Sequence, residues 1–160
     1  MPGMTLRLGE TMKNVLFVCT GNTCRSPMAE AIANKFFKEH GIGAVASSCG
    51  IYAADGSYAS ENAIAVMKNV YDTDISDHKA RIVCEGYLAV ADIVIAVTEG
   101  HKNHLCAAYP DYADKVYAMG EFGEECCDID DPYGGDLEIY EKTAAQMQRC
   151  FENIDWEGCL

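Results

Sequence analysis

The stretch VLFVCTGNTCRSP, from Val15 to Pro27, constrains this chain more than any other. An apolar run rich in β-branched residues stops at a loop holding two cysteines, a glycine, an asparagine and an arginine. Asn14–Val18 reads as a short buried strand. Ser26 and Pro27 then open the segment MAEAIANKFFKEHG, which reads as a helix. Proline at the first helical position and Gly41 at the end are the expected start and stop signals. A strand that passes through a short loop into a helix leaves several backbone N–H groups unpaired at one point in space.

The same alternation continues down the chain. Ala44–Cys49 predicts a second strand, and Tyr58–Val70 a helix, from the spacing of Ala59, Ala63, Val66, Met67 and Val70. Lys79–Leu88 reads as a further helix, Ala91–Val97 as the most strand-like run, and His101–Ala108 as a short helix. Lys115–Met119 predicts a fourth strand and Leu137–Phe151 a long final helix. Strands alternating with helices imply an α/β fold: one three-layer domain, a central parallel sheet of about four strands, helices on both faces. Ligands in such folds sit at the carboxyl ends of the strands, where the opening loop lies.

A length of 160 residues suits one domain with a sizeable core. Residues 1–12 lack the apolar core of a signal peptide and read as a flexible leader ahead of a domain spanning 13–160. No apolar run approaches the roughly 18 residues of a spanning helix, so the expected compartment is the cytoplasm and no membrane partner is expected. The net charge of −13 argues against nucleic acid as a partner. Nine scattered cysteines without a CxxC pair offer neither a disulfide framework nor zinc geometry, and most read as small buried hydrophobes.

Within the loop, each residue type has a physical use. Unpaired amides and the helix dipole favour an anion. Gly21 permits a twist that a side chain would forbid, and Asn22 is the residue that best tolerates a left-handed backbone after glycine. The Arg25 guanidinium fits two oxygens of a phosphate. Thr20, Gly21, Asn22, Thr23, Cys24 and Ser26 thus form a phosphate-sized cradle, local and positive on an acidic chain. Cys19 stands at its base. The fields that hold a phosphate also favour thiolate over thiol, and the thiolate is the nucleophilic form. Ser26 is placed to hydrogen-bond that sulfur.

VCTGNTCRSPMAEA resembles the signature of the low-molecular-weight protein tyrosine phosphatase family, V-C-x-G-N-x-C-R-S-P. The resemblance covers roughly residues 14 to 150. It implies that Cys19 is the nucleophile, that Arg25 binds the phosphate, and that a phosphorylated protein substrate is hydrolysed through a phosphocysteine without metal or cofactor. Cys24 matches a second loop cysteine that in relatives can form a reversible disulfide with the nucleophile; packing is its other reading.

A leaving group at phosphorus needs a proton donor. DIDDPYGGD offers Asp128, Asp130, Asp131 and Asp136, and the residues alone do not choose among them. The resemblance does: its D-P-aromatic motif makes Asp131 the acid and base and puts Tyr133 at the mouth of the pocket. Ser48, in SSCGI, and His78, in DISDHKAR, match residues that in relatives support the loop asparagine, although His78 also reads as an exposed helix-capping residue. His40, His101 and His104 show no partner pattern and read as surface.

Thr23 separates the possible substrates. Many tyrosine-specific members carry a bulkier isoleucine at this place, whereas GNTC with DPYGGDLEIYEKT resembles the bacterial protein-arginine phosphatase branch, in which the threonine goes with phosphoarginine selectivity. That implies phosphoarginine slightly ahead of phosphotyrosine. Two other classes remain. A thioredoxin-coupled arsenate reductase shares the loop but needs two closely spaced relay cysteines, whereas Cys84 and Cys106 are far apart and Cys126 and Cys127 adjacent. A catalytically silent phosphate-binding module would not need both Cys19 and Asp131.

Overall fold

The computed structural model describes residues 12–160, so the leader expected over residues 1–12 lies, apart from Met12, outside the described residues. The four strands are β1 (Lys13–Cys19), β2 (Ala44–Gly50), β3 (Ile93–Ala96) and β4 (Val116–Ala118). They form one parallel sheet in the order β2-β1-β3-β4. The chain leaves β1 for one side of it and later returns to the other. The sheet order therefore reverses at β1, and a crevice opens beyond its carboxyl end.

Alternation along β1 explains the layers. Val15 and Phe17 face one side and pack with α1 (Arg25–Glu39), α2 (Glu61–Tyr71), α5 (Leu137–Asn153) and α6 (Trp156–Cys159), through residues such as Met28, Met67, Met147 and Trp156. Leu16 and Val18 face the other side, beneath Leu88 of α3 (Glu85–Val90) and Leu105 of α4 (Glu99–Ala108). Both faces of β1 are covered, which is why its apolar run has no polar alternation. Phe17, Phe37, Phe151 and Trp156 form an aromatic cluster, with Phe37 edge-on to Trp156 at 4.8 Å.

Three sequence expectations need correction. Lys79–Leu88 is not one helix: Lys79 bridges Tyr58, Ile82 bridges Gly50, and α3 begins only at Glu85. Backbone bonds from Gly50 N to the Arg81 carbonyl and from Val83 N to the Gly50 carbonyl outweigh the helical spacing, because β2 offers an unpaired edge there. The helix expected from Tyr58 starts at Glu61, capped by Ser60, whose hydroxyl accepts the Ala63 amide. Proline at position 27 is the third rather than the first residue of α1, where its missing N–H is still one of those without an intrahelical partner.

The cysteines also depart from expectation. Cys19, Cys24 and Cys49 are free and buried, and Cys84 and Cys127 are exposed. Cys126 and Cys150 form a disulfide that ties the chain ahead of the acidic loop to α5. Nothing in the spacing of these two residues signals the pair, since only the packing of α5 brings them together.

Candidate active site

Cys19 ends β1 and Arg25 begins α1, so the five residues between them form the turn. Asn22 is the hinge of that turn. Its backbone lies in the left-handed region, with φ of 56°, which asparagine tolerates better than most residues. It is fully buried, yet every polar atom has a partner. Its side-chain amide donates to Ser26 Oγ at 2.8 Å and to Ser48 Oγ at 2.9 Å. Its side-chain oxygen accepts the Arg81 amide at 3.0 Å, and its backbone carbonyl lies 2.9 Å from His78 Nε2. Its own amide donates to Cys19 Sγ at 3.3 Å.

The turn is pressed against β2. Ile51 N donates to the Cys19 carbonyl and Tyr52 N to the Thr20 carbonyl, each at 2.9 Å. A Cβ on Gly50 would stand 2.5 Å from the Thr20 carbonyl oxygen and 2.9 Å from the Asn22 nitrogen, both backbone atoms that cannot move aside. Gly50 is therefore required for the close approach, a requirement the SSCG run does not announce. Beneath, Ser48 donates to Glu30 Oε1 at 2.7 Å, and Arg81 Nε donates to the Ser48 carbonyl at 2.9 Å. Burial pushes the Glu30 carboxyl up from its ordinary range, against the Ser48 hydrogen bond and the nearby His78 and Arg81 charges. Glu30 and Arg81 belong to this support although neither stands out in the sequence.

Cys19 Sγ lies 2.8 Å from Ser26 Oγ. Asn22 Nδ2 donates to that hydroxyl oxygen, so the hydroxyl proton has two acceptors in reach, the sulfur at 2.8 Å and the Cys49 carbonyl at 3.4 Å. Cys19 is only 2 % exposed, at the floor of the cleft. No side chain caps the first turn of α1 and no acidic residue sits in it, so its amides and dipole face the cleft unopposed. Cys24 also lines the cleft, its sulfur 3.2 Å from Tyr140 Oη and 3.4 Å from Ser60 Oγ. Burial and the Cys24 contact push the Tyr140 hydroxyl up to about 12, so it is a neutral phenol.

Arg25 is buried apart from its cleft edge. One terminal nitrogen donates to the Ile129 carbonyl at 3.0 Å, and the other lies 3.7 Å from Asp131 Oδ2. The four acidic candidates now separate. Asp128 accepts the Glu99 amide at the head of α4, and Asp136 caps α5 by accepting the Ile139 amide. Asp130 borders a surface depression with Lys142 and Arg149, outside the cleft. Asp131 alone of the four lines the cleft, where its other oxygen accepts the Tyr133 amide at 3.1 Å. The cleft has a volume of about 260 Å³, and its lining includes Cys19, Thr23, Arg25, Asp131 and Tyr133. Tyr133 is 80 % exposed at its mouth.

His101 corrects the sequence reading. His40 and His104 are exposed, but His101 is half-buried and its Nε2 lies 2.8 Å from Thr20 Oγ1, on the loop itself. Burial, then the Arg25 charge, lower its imidazole to about 4, against the opposing pull of Asp128 and Asp131. A lone histidine on a short helix carries no mark of this contact. Among the described residues, no group of three or more histidine, cysteine or acidic side chains is placed to hold a metal ion.

A cysteine-bearing loop at the carboxyl end of a central parallel strand, closed by a buried arginine facing a carboxylate, defines a class of phosphoryl-handling α/β enzymes. The model of the low molecular weight phosphotyrosine protein phosphatase family matches residues 14–155, and the chain belongs to that family of cysteine-dependent phosphatases. It is 31 % identical over 144 residues to the protein-arginine-phosphatase of Bacillus subtilis, covering 88 % of this chain and 93 % of that one. A crystal structure of the low molecular weight protein tyrosine phosphatase from T. tengcongensis superposes with a TM-score of 0.84 at 46 % identity, covering 88 % of this chain and 96 % of that one. The arginine phosphatase YwlE, as a cysteine-to-serine mutant with a phosphorylated active-site serine, superposes with a TM-score of 0.83 at 30 % identity, covering 88 % and 91 %.

Proposed function

We propose that this chain hydrolyses phosphorylated side chains of proteins, with Cys19 as nucleophile, Arg25 as phosphate ligand and Asp131 as acid and base. The observation that carries the reading is the convergence of Cys19 Sγ, the Arg25 guanidinium and the Asp131 carboxylate on one cleft. The Cys19 thiolate attacks phosphorus while the bond to the leaving group breaks, and Asp131 gives its proton to the departing atom. Water then attacks the phosphocysteine. The Asp131 carboxylate takes the water's proton, the S–P bond breaks, and inorganic phosphate leaves. Ser26 Oγ, 2.8 Å from the sulfur, stabilises the thiolate both as nucleophile and as leaving group. Ser48 and His78 act through Asn22, whose left-handed backbone they hold.

Phosphoarginine is the substrate we assign ahead of phosphotyrosine. Thr23 lines the cleft, and its side chain is small and polar enough to take a P–N bond beside it. The name of the Bacillus subtilis relative supports the same choice. The seven free thiols fit a reducing compartment, the Cys126–Cys150 bridge being the exception, and the cytoplasm is the compartment assigned. The decisive experiment measures hydrolysis of phosphoarginine and phosphotyrosine peptides by the wild type, Cys19→Ser and Thr23→Ile proteins. Cys19→Ser is expected to lose turnover, and Thr23→Ile to shift preference toward phosphotyrosine. Undiminished turnover by Cys19→Ser would refute the covalent mechanism, and an unshifted ratio in Thr23→Ile would refute the substrate choice.

A further inference from the structure

The first turn of α4 touches both loops of the site. Glu99 N holds Asp128, three residues before the proposed acid, at 2.9 Å. His101 holds the side chain of Thr20, the residue directly after the proposed nucleophile, at 2.8 Å. On its other side the ring continues the chain of contacts, with Nδ1 2.6 Å from Thr98 Oγ1. Thr98 caps α4, its hydroxyl oxygen accepting the His101 amide at 3.2 Å.

These contacts can be balanced proton by proton. A neutral imidazole carries one N–H, so one of the two threonines receives a proton from the ring and the other gives one to it. With the proton on Nδ1, Thr98 Oγ1 accepts twice, its own proton finds no acceptor among the described residues, and Thr20 spends its proton on Nε2. With the proton on Nε2, Thr98 accepts the backbone amide and donates to Nδ1, and Nε2 donates to Thr20 Oγ1. The Thr20 proton then remains free beside a cleft where Arg25 and the first-turn amides gather negative charge. When an oxyanion occupies the cleft, the second arrangement gives every donor an acceptor.

We propose that His101 is a positioning residue that fixes the Thr20 hydroxyl as a donor to a phosphoryl oxygen held in the cleft. The inference rests on the reading of that cleft as a phosphoryl site. It makes Thr20 a side-chain ligand of the phosphoryl group and gives α4 a part in the chemistry.

The test measures binding of inorganic phosphate by calorimetry, with turnover followed in parallel. Thr20→Val keeps the shape of the side chain at an exposed position and removes the hydroxyl. It is expected to weaken phosphate binding about tenfold, the usual scale for a hydrogen bond to a charged group. Thr20→Ser is expected to bind as the wild type does. His101→Ala is expected to weaken binding, and His101→Gln, whose amide nitrogen can stand where Nε2 stands, to recover most of it. The double variant Thr20→Val/His101→Ala is expected to bind no worse than Thr20→Val, because His101 acts through Thr20. Wild-type affinity in Thr20→Val would overturn the proposal, and so would a double variant showing the product of the two single losses. A wild type that binds phosphate but hydrolyses neither phosphopeptide would sink the phosphatase mechanism instead, leaving the binding result to decide this one.

Discussion

Arg25 Nη2 stands 3.7 Å from Asp131 Oδ2, joining the first residue of α1 to a loop more than a hundred residues further along the chain. The guanidinium is buried and its other nitrogen is committed to the Ile129 carbonyl, so it cannot swing away. The carboxylate is more than half exposed and can move. This asymmetry suits a fixed phosphate ligand beside a mobile proton carrier.

Asp131→Asn keeps the shape and removes the transferable proton. Its rate is expected to fall about a hundredfold or more on substrates with basic leaving groups, the scale of general acid catalysis. On an activated aryl phosphate the loss is expected to be much smaller. Steady-state kinetics across a leaving-group series checks this, and equal losses along the series would remove Asp131 from the acid role.

Gly50→Ala is expected to cripple the enzyme from β2. The added methyl meets two backbone atoms of the loop at 2.5 and 2.9 Å, so the loop must shift. Overpacking of this kind costs about 1–3 kcal/mol, and displacing the phosphate cradle should lower turnover far more than stability. Chemical denaturation and kinetics on the same protein separate the two effects. A variant with wild-type turnover would show that the loop can relax.

The Cys126–Cys150 bridge closes a loop with a sequence separation of 24. Chain-entropy arguments give a bridge of that span about 3 kcal/mol of stability. Dithiothreitol is expected to shift the urea midpoint of the wild type downward and to leave a Cys126→Ala/Cys150→Ala variant unmoved. An unmoved wild type, with nine thiols titrating in denaturant without reductant, would show that the bridge does not form.

His101 sets an acid-side limit on stability. Its folded-state imidazole is lowered from 6.5 to about 4, so between those values the unfolded chain holds the proton and the folded chain does not. Its contribution is therefore complete above pH 6.5 and is lost as pH falls toward 4. Thermal unfolding of the wild type is expected to weaken over that window, and His101→Gln to show a flatter profile. Identical profiles would place the imidazole in ordinary solvent.

VLFVCTGNTCRSP was enough to read a strand, a turn and a helix, because each depends on neighbours along the chain. Buried strands have continuous apolar runs, left-handed turns favour Gly and Asn, and helix starts leave amides free. DIDDPYGGD could not be resolved in the same way. Four carboxylates of equal local merit were told apart by the family resemblance, which pointed to Asp131, and the physical grounds came only when the fold turned Asp128 and Asp136 to helix starts, Asp130 outward and Asp131 to Arg25. His101, Gly50, Glu30, Arg81 and the Cys126–Cys150 pair lay beyond local reading for one reason: their partners stand from 18 to 81 residues away. A periodic pattern records which face a residue presents to the core, but not which distant atom that face will meet. Only the packing of β1 between β2 and β3, with α4 and α5 closing over its end, decided those meetings.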